Sequence, residues 1–136
     1  MRILGIDYGD SRVGVAVSDP LGMTAQGVGT IKNKGTERLS AELSAIIEKY
    51  KPEKIVLGLP KNMDGTEGFR AEVTYSFRDE LAKIFDGEII LWDERLSTVS
   101  ASGILNVTNT RGKDRKKVLD TVAACIILEN YLNFRK

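Results

Sequence analysis

The chain has 136 residues, 42% of them hydrophobic and 29% charged, a balance that suits a folded globular domain and not a disordered or membrane-embedded one. It contains no histidine and a single cysteine, Cys125, which excludes an imidazole-based hydrolytic triad, a His-ligated zinc site and an intrachain disulfide. Any chemistry must use carboxylates, hydroxyls, amines, backbone groups or an oxygen-ligated metal, and the overall charge of +1 names no partner.

Residues 1–136 are expected to form one domain, since no repeat, low-complexity stretch or long linker divides them. Met1-Arg2 leads straight into a strand-like segment, so no signal peptide is expected, and no apolar run is long enough to span a membrane. Together with the cysteine count, this points to a cytoplasmic setting.

In chain order, Arg2–Asp7 reads as an apolar strand ending in a carboxylate, and Tyr8–Ser11 as a turn around Gly9. Val13–Val17 then returns as the second arm of a hairpin. Ala25–Ile31 is a third strand, interrupted by Gly27 and Gly29. From Thr36 to Tyr50 the period becomes helical, with Leu39, Leu43, Ile46, Ile47 and Tyr50 on one face. Lys54–Leu59 is almost continuously apolar, the pattern of a strand covered on both faces.

Residues Pro60–Gly68 form a polar loop with two glycines, followed by a helix whose apolar face is Phe69, Val73, Phe77 and Leu81. Glu88–Trp92 is a further buried strand, with Asp93, Glu94 and Arg95 directly after it. Ser97–Leu105 reads as a short helix, Asn106–Lys117 as a polar, basic loop and Val118–Phe134 as a very apolar final helix. The order β-β-β-α-β-α-β-α-α predicts an α/β fold: a mixed five-stranded sheet with helices on both faces. Its functional crevice lies beyond the carboxyl ends of the parallel strands. That rule selects Asp7, the 59–68 loop and Asp93/Glu94.

Asp120 joins them because its neighbours Val118, Leu119, Val122, Ala123 and Ala124 are apolar or small. A carboxylate in such a helix is costly to bury without compensation. The helix dipole contributes less than about 1 kcal/mol, whereas a divalent cation would compensate far more. Gathered carboxylates with oxygen-only chemistry suit Mg²⁺ or Mn²⁺. Each acid also has an ordinary reading: Asp7 as a turn residue, Asp93 or Glu94 as an exposed neighbour of Arg95, and Asp120 as a first-turn helix residue. Their joint placement at one sheet end is what favours metal binding.

The near-neutral total conceals a basic run. Arg111, Lys113, Arg115, Lys116 and Lys117 surround Asp114, five cations to one acid and a net charge of +4; the other 15 cations and 18 acids leave the rest at −3. Such a run is either a solvated surface or a clamp for a phosphate backbone, and Gly112 within it suggests mobility before substrate arrives. Lys61 and Asn62 could reach a phosphate from the 57–68 segment, which does not match a P-loop because no Lys-Ser/Thr follows its glycines. Trp92 and Cys125 read as core packing.

Four blocks in order, LGIDYGDSRVGVAVSD (4–19), IVLGLPKNMDGTEG (55–68), WDERLST (92–98) and DTVAACIILENYL (120–132), resemble the YqgF/RuvX family over nearly the whole chain. These small bacterial proteins are likened to Holliday-junction resolvases and to pre-16S ribosomal RNA nucleases. The resemblance implies a ribonuclease H-like fold and a cytoplasmic role in maturing the 5′ end of ribosomal RNA. It further implies a metal-binding catalytic cluster of Asp7, Glu94 (Asp93 as second choice) and Asp120. Strand alternation lets only one of the adjacent acids point into the crevice. Arg12, Arg95, Lys116 and Lys117 would contact the nucleic-acid backbone, with structured RNA or branched DNA as partner, ribosome precursors included.

One departure stands out. Junction resolvases carry a second aspartate three residues after the helix one, and here that position is Ala123. A non-catalytic ribosome-assembly factor using the basic run is therefore a rival reading. A phosphotransfer domain related to the actin-like ATPases is another, because IDYGDSRVGVAV also resembles their phosphate hairpin, although 136 residues supply only one lobe.

Overall fold

A computed structural model describes residues 2–9, 11–60, 68–93 and 112–135, the side chains of the last segment from 121 to 134. The elements are β1 (Ile3–Tyr8), β2 (Arg12–Ser18), β3 (Ala25–Lys32), α1 (Thr36–Tyr50), β4 (Lys54–Leu59), α2 (Phe69–Ala82), β5 (Glu88–Asp93) and α3 (Gly112–Arg135). The strands form one sheet in the order β3-β2-β1-β4-β5. β1 pairs antiparallel with β2 and parallel with β4, β2 pairs antiparallel with β3, and β4 pairs parallel with β5. The carboxyl ends of β1, β3, β4 and β5 therefore share one rim.

Two-residue alternation sorts the apolar side chains into two layers. Leu4, Ile6, Val13, Val15, Val17, Ile55 and Leu57 pack with Leu39 and Leu43 of α1 and with Phe77 and Leu81 of α2. The opposite parity, Ile3, Ala16 and Val56, packs against Ala124, Ile127, Leu128, Tyr131 and Leu132 of α3. Helices thus cover both faces, as the β-α-β pattern predicts. β4 is buried on both faces, while β5 is a half-exposed edge strand and not the buried strand its apolar sequence suggests. Being outermost, it is left uncovered along one side.

Three other expectations need correction. The glycines of β3 do not break it: the strand continues to Lys32 and absorbs the irregularity as a register shift opposite Val15/Ala16. α2 buries Ala71, Thr74, Phe77 and Leu81, whereas Phe69 is 75% exposed. Steps of four residues overshoot a 3.6-residue turn by about 40° each, so a stripe anchored at Leu81 has left the core by position 69. The basic run is also not all loop, because α3 begins at Gly112 and includes Lys113, Arg115, Lys116 and Lys117. Lys and Arg are good helix formers, so a polar composition does not by itself exclude a helix. The proposed short helix at 97–105 lies outside the described residues.

Local polar bonds fix the sheet ends. Ser18 Oγ, fully buried, accepts the Ile3 N–H at 2.8 Å and donates to the Asp19 carbonyl. In the β2–β3 turn, the Asp19 carboxylate accepts the N–H groups of Met23 and Thr24 at 2.6 and 2.9 Å. These bonds favour its charged form and hold its pKa below the ordinary carboxylate value. The β1–β2 turn is tied to the connection between β3 and α1 by Asn33, whose side chain donates to the Gly9 carbonyl and whose N–H donates to the Ser11 carbonyl.

Candidate metal and nucleic-acid site

Asp7 lies one residue from the end of the central strand and is partly exposed at the shared rim. It has the parity of Ile3 and Gly5, so it belongs to the sheet face covered by α3. On that face both neighbouring strands present glycine beside it. Gly14 pairs with Asp7 directly, and Gly58 follows Leu57, the partner of Ile6. The carboxylate therefore sits on an open floor where neither flanking strand offers a side chain. Among the described residues, no cation pairs with it.

The approach of α3 is set by two other glycines. A Cβ on Gly5 would lie 2.8 Å from Leu128 Cβ and 3.0 Å from the Ala124 carbonyl oxygen, and one on Gly27 would lie 2.7 Å from Thr121 Cγ2. Only without those side chains can the helix pack this close to the sheet. Thr121 then reaches Thr30 on β3, the two hydroxyls 2.8 Å apart. Thr30 pairs with Gly14, which pairs with Asp7. Position 121 of α3 is thereby pinned at the level of the sheet row that contains Asp7. Asp120 is the preceding residue of the helix; its side chain lies outside the described set.

At the other edge, alternation along β5 places Ile89 and Leu91 in the α1/α2 layer and Ile90 and Trp92 in the α3 layer. Asp93, with the parity of Ile89 and Leu91, is on the face away from Asp7. Glu94, Arg95, Lys61, Asn62 and Arg111 lie outside the described residues, as do the side chains of Lys113, Arg115, Lys116 and Lys117. Arg12 opens β2 beside this rim, with the parity of Gly14 and Ala16, which puts it on Asp7's face. No group of three His, Cys, Asp or Glu gathers among the described residues.

Trp92 and Cys125 belong to packing. The Trp92 ring makes edge contacts with Tyr131 and Phe134, centroids 5.8 and 5.3 Å away. Burial, with a smaller contribution from Glu129, raises the Cys125 thiol above its ordinary pKa, so it stays protonated and is a poor metal ligand or nucleophile. Sequence reasoning missed the glycine pair around Asp7 and the Thr30–Thr121 bond. The VGV and LGL triplets carried a trace of the first; the second joins residues 91 apart in sequence and had no local signal.

A mixed five-stranded sheet with a long helix laid across one face is a ribonuclease H-like fold. Solved structures share this fold. Thermus thermophilus RuvC in complex with a Holliday-junction substrate matches with a TM-score of 0.61 at 13% identity, covering 99% of this chain and 95% of that one. The fowlpox virus Holliday junction resolvase matches at 0.56 with 14% identity and complete coverage of both chains.

Within that class, residues 1–134 match the family model described as "RuvX: Holliday junction resolvase". A Halothermothrix orenii protein named "Putative pre-16S rRNA nuclease" is 52% identical over 135 residues, covering 99% of this chain and 96% of that protein. The chain belongs to the RuvX family.

Proposed function

We propose that this chain is a metal-dependent nuclease that hydrolyses phosphodiester bonds of nucleic acid in the cytoplasm, and that its physiological task is maturing the 5′ end of precursor 16S ribosomal RNA. The observation that carries the reading is Asp7, an acid with no cation paired to it among the described residues, between two glycines on the face where α3 is pinned at the same level. The family and the name of the Halothermothrix relative support the substrate class. Among the described residues no helix is long and apolar enough to cross a membrane.

Asp7, Glu94 and Asp120 would hold Mg²⁺ or Mn²⁺. The donor chemistry of the chain supports such an ion. The chain has no histidine, its one thiol is packed beside Gly27, and the rim acid is an oxygen donor with no described cation to neutralise it. Glu94 is preferred to Asp93 because Asp93 shares the parity of the α1/α2 layer. A bound divalent cation supplies positive charge to the reacting phosphate and makes water more acidic.

The chain's own residues position the substrate. Arg12, on Asp7's face of the rim, steadies the phosphodiester. The basic first turns of α3 neutralise flanking phosphates, and the glycine floor lets the backbone approach Asp7 closely. Charged Asp7 and Asp120 also repel a phosphate that arrives without the ion, which makes cleavage strictly metal-dependent.

The test is cleavage of precursor 16S RNA and of a four-way DNA junction with Mg²⁺, Mn²⁺ or chelator. Asp7→Asn and Asp120→Asn should each lower the rate at least about 100-fold while leaving thermal unfolding nearly unchanged. Full activity in both purified variants refutes the assignment.

A further inference from the structure

We propose that a second basic pocket, formed by Lys32, Lys34 and Arg38, binds the phosphate backbone of the nucleic acid as it leaves the reacting rim. This rests on the nuclease reading and names where the substrate runs. The surface pocket holds about 490 Å³ between the end of β3 and the first turns of α1, lined by Thr30, Ile31 and Ala41 besides the three cations and Glu42. That volume suits a ligand site, but small-molecule sites are mostly apolar and enclosed. Here Lys32, Lys34, Arg38 and Glu42 are all exposed, so the pocket suits an extended anion passing along the surface.

Its position connects it to the reacting site. Lys32 pairs with Arg12 across β2–β3, one residue beyond the row Tyr8–Val13–Ile31. Two strand spacings separate β3 from β1, about 10 Å. Lys32 has the parity of Thr30, which bonds α3, so it shares a sheet face with Arg12 and Asp7. Asp7, Arg12 and Lys32 thus form a line along one rim, and Lys34 and Arg38 continue it around the sheet edge. Among the described residues none of the three pocket cations has an ion pair. Arg38 and Glu42 are four residues apart on α1, in the less favourable order for an i,i+4 pair. Three cations on one concave surface repel each other, and a phosphate chain relieves that repulsion. Glu42 opposes the same phosphate.

The experiment measures anisotropy of a labelled RNA hairpin and a four-way DNA junction in chelator, from 50 to 300 mM KCl. The triple variant Lys32→Ala/Lys34→Ala/Arg38→Ala should bind at least about tenfold more weakly at 100 mM salt. Its log–log salt slope should be shallower by about two to three. The loss should be equal for both nucleic acids, because phosphate contacts carry no base information. Glu42→Gln should bind at least about twofold more tightly, a gain that no folding defect produces. With metal present the triple variant should show raised KM and unchanged kcat.

Wild-type affinity and slope in the triple variant, a loss confined to one nucleic acid, or a Glu42→Gln protein that binds no tighter, overturns the pocket alone if the wild type still binds and cleaves. A wild type with no affinity for either nucleic acid overturns both the pocket and the nuclease reading. Asp7→Asn should bind in chelator at least as tightly as the wild type, and should fail to cleave when metal is present, which separates the two sites.

Discussion

Replacing Gly5 by alanine tests whether α3 is held against β1 as tightly as the geometry requires. The new methyl would sit 2.8 Å from Leu128 Cβ and 3.0 Å from the Ala124 carbonyl oxygen. Both are parts of the helix that cannot swing aside, and Leu128 is fully buried. Either the helix lifts or the strand bends. Overpacking of this kind costs about 1–3 kcal/mol, and the alanine recovers about 0.4–1 kcal/mol by restricting the unfolded chain.

Taking the middle of each range, the net loss is about 1–2 kcal/mol. Unfolding entropy near 60 °C is about 2.1 cal/mol/K per residue, so for 136 residues the midpoint should fall by about 3–7 °C. Far-UV circular dichroism during heating, checked by urea unfolding, reads this directly. Lifting α3 also separates its N-terminal half from Asp7, so cleavage at 25 °C, where the variant remains folded, should fall at least about tenfold. An unchanged or raised midpoint would refute the close approach. A lowered midpoint with full activity would refute the link between helix seating and the site.

Ser18→Ala strips the Ile3 N–H of its buried acceptor and should cost about 1–3 kcal/mol; a change under about 0.5 kcal/mol in urea unfolding would contradict this. A cycle of Thr30→Val and Thr121→Val should show a coupling of about 0.5–1.5 kcal/mol, and strictly additive effects would mean that the 2.8 Å hydroxyl contact contributes nothing. Asp19, its pKa lowered chiefly by the Thr24 and Met23 N–H groups, adds stability that is complete above its unfolded pKa and disappears as pH falls through the lower folded value. The stability difference between wild type and Asp19→Asn should therefore shrink between pH 6 and pH 3, and parallel pH curves would disprove the assignment.

Local sequence patterning alone determined most of the elements. Continuous apolar runs marked β1 and β4, a change from two-residue to helical period marked α1, and the β-α-β order fixed which strand ends share a rim. Asp7 was legible because it ends an apolar strand, and the missing histidine restricted its chemistry to oxygen donors. These signals are short-range: periodicity and turn composition act over a few residues.

What crosses the sheet had to come from the fold. That Asp7 stands between Gly14 and Gly58 depends on strand pairing, and the level of α3 depends on Gly5, Gly27 and the Thr30–Thr121 bond. Lys32, Lys34 and Arg38 gave no sign of convergence, because a strand end and a helix face come together only when β3 takes the edge beside β2. The face of α2 and the half-exposure of β5 were misread for the same reason. Burial is decided by neighbours distant in sequence, and the sheet order selects those neighbours.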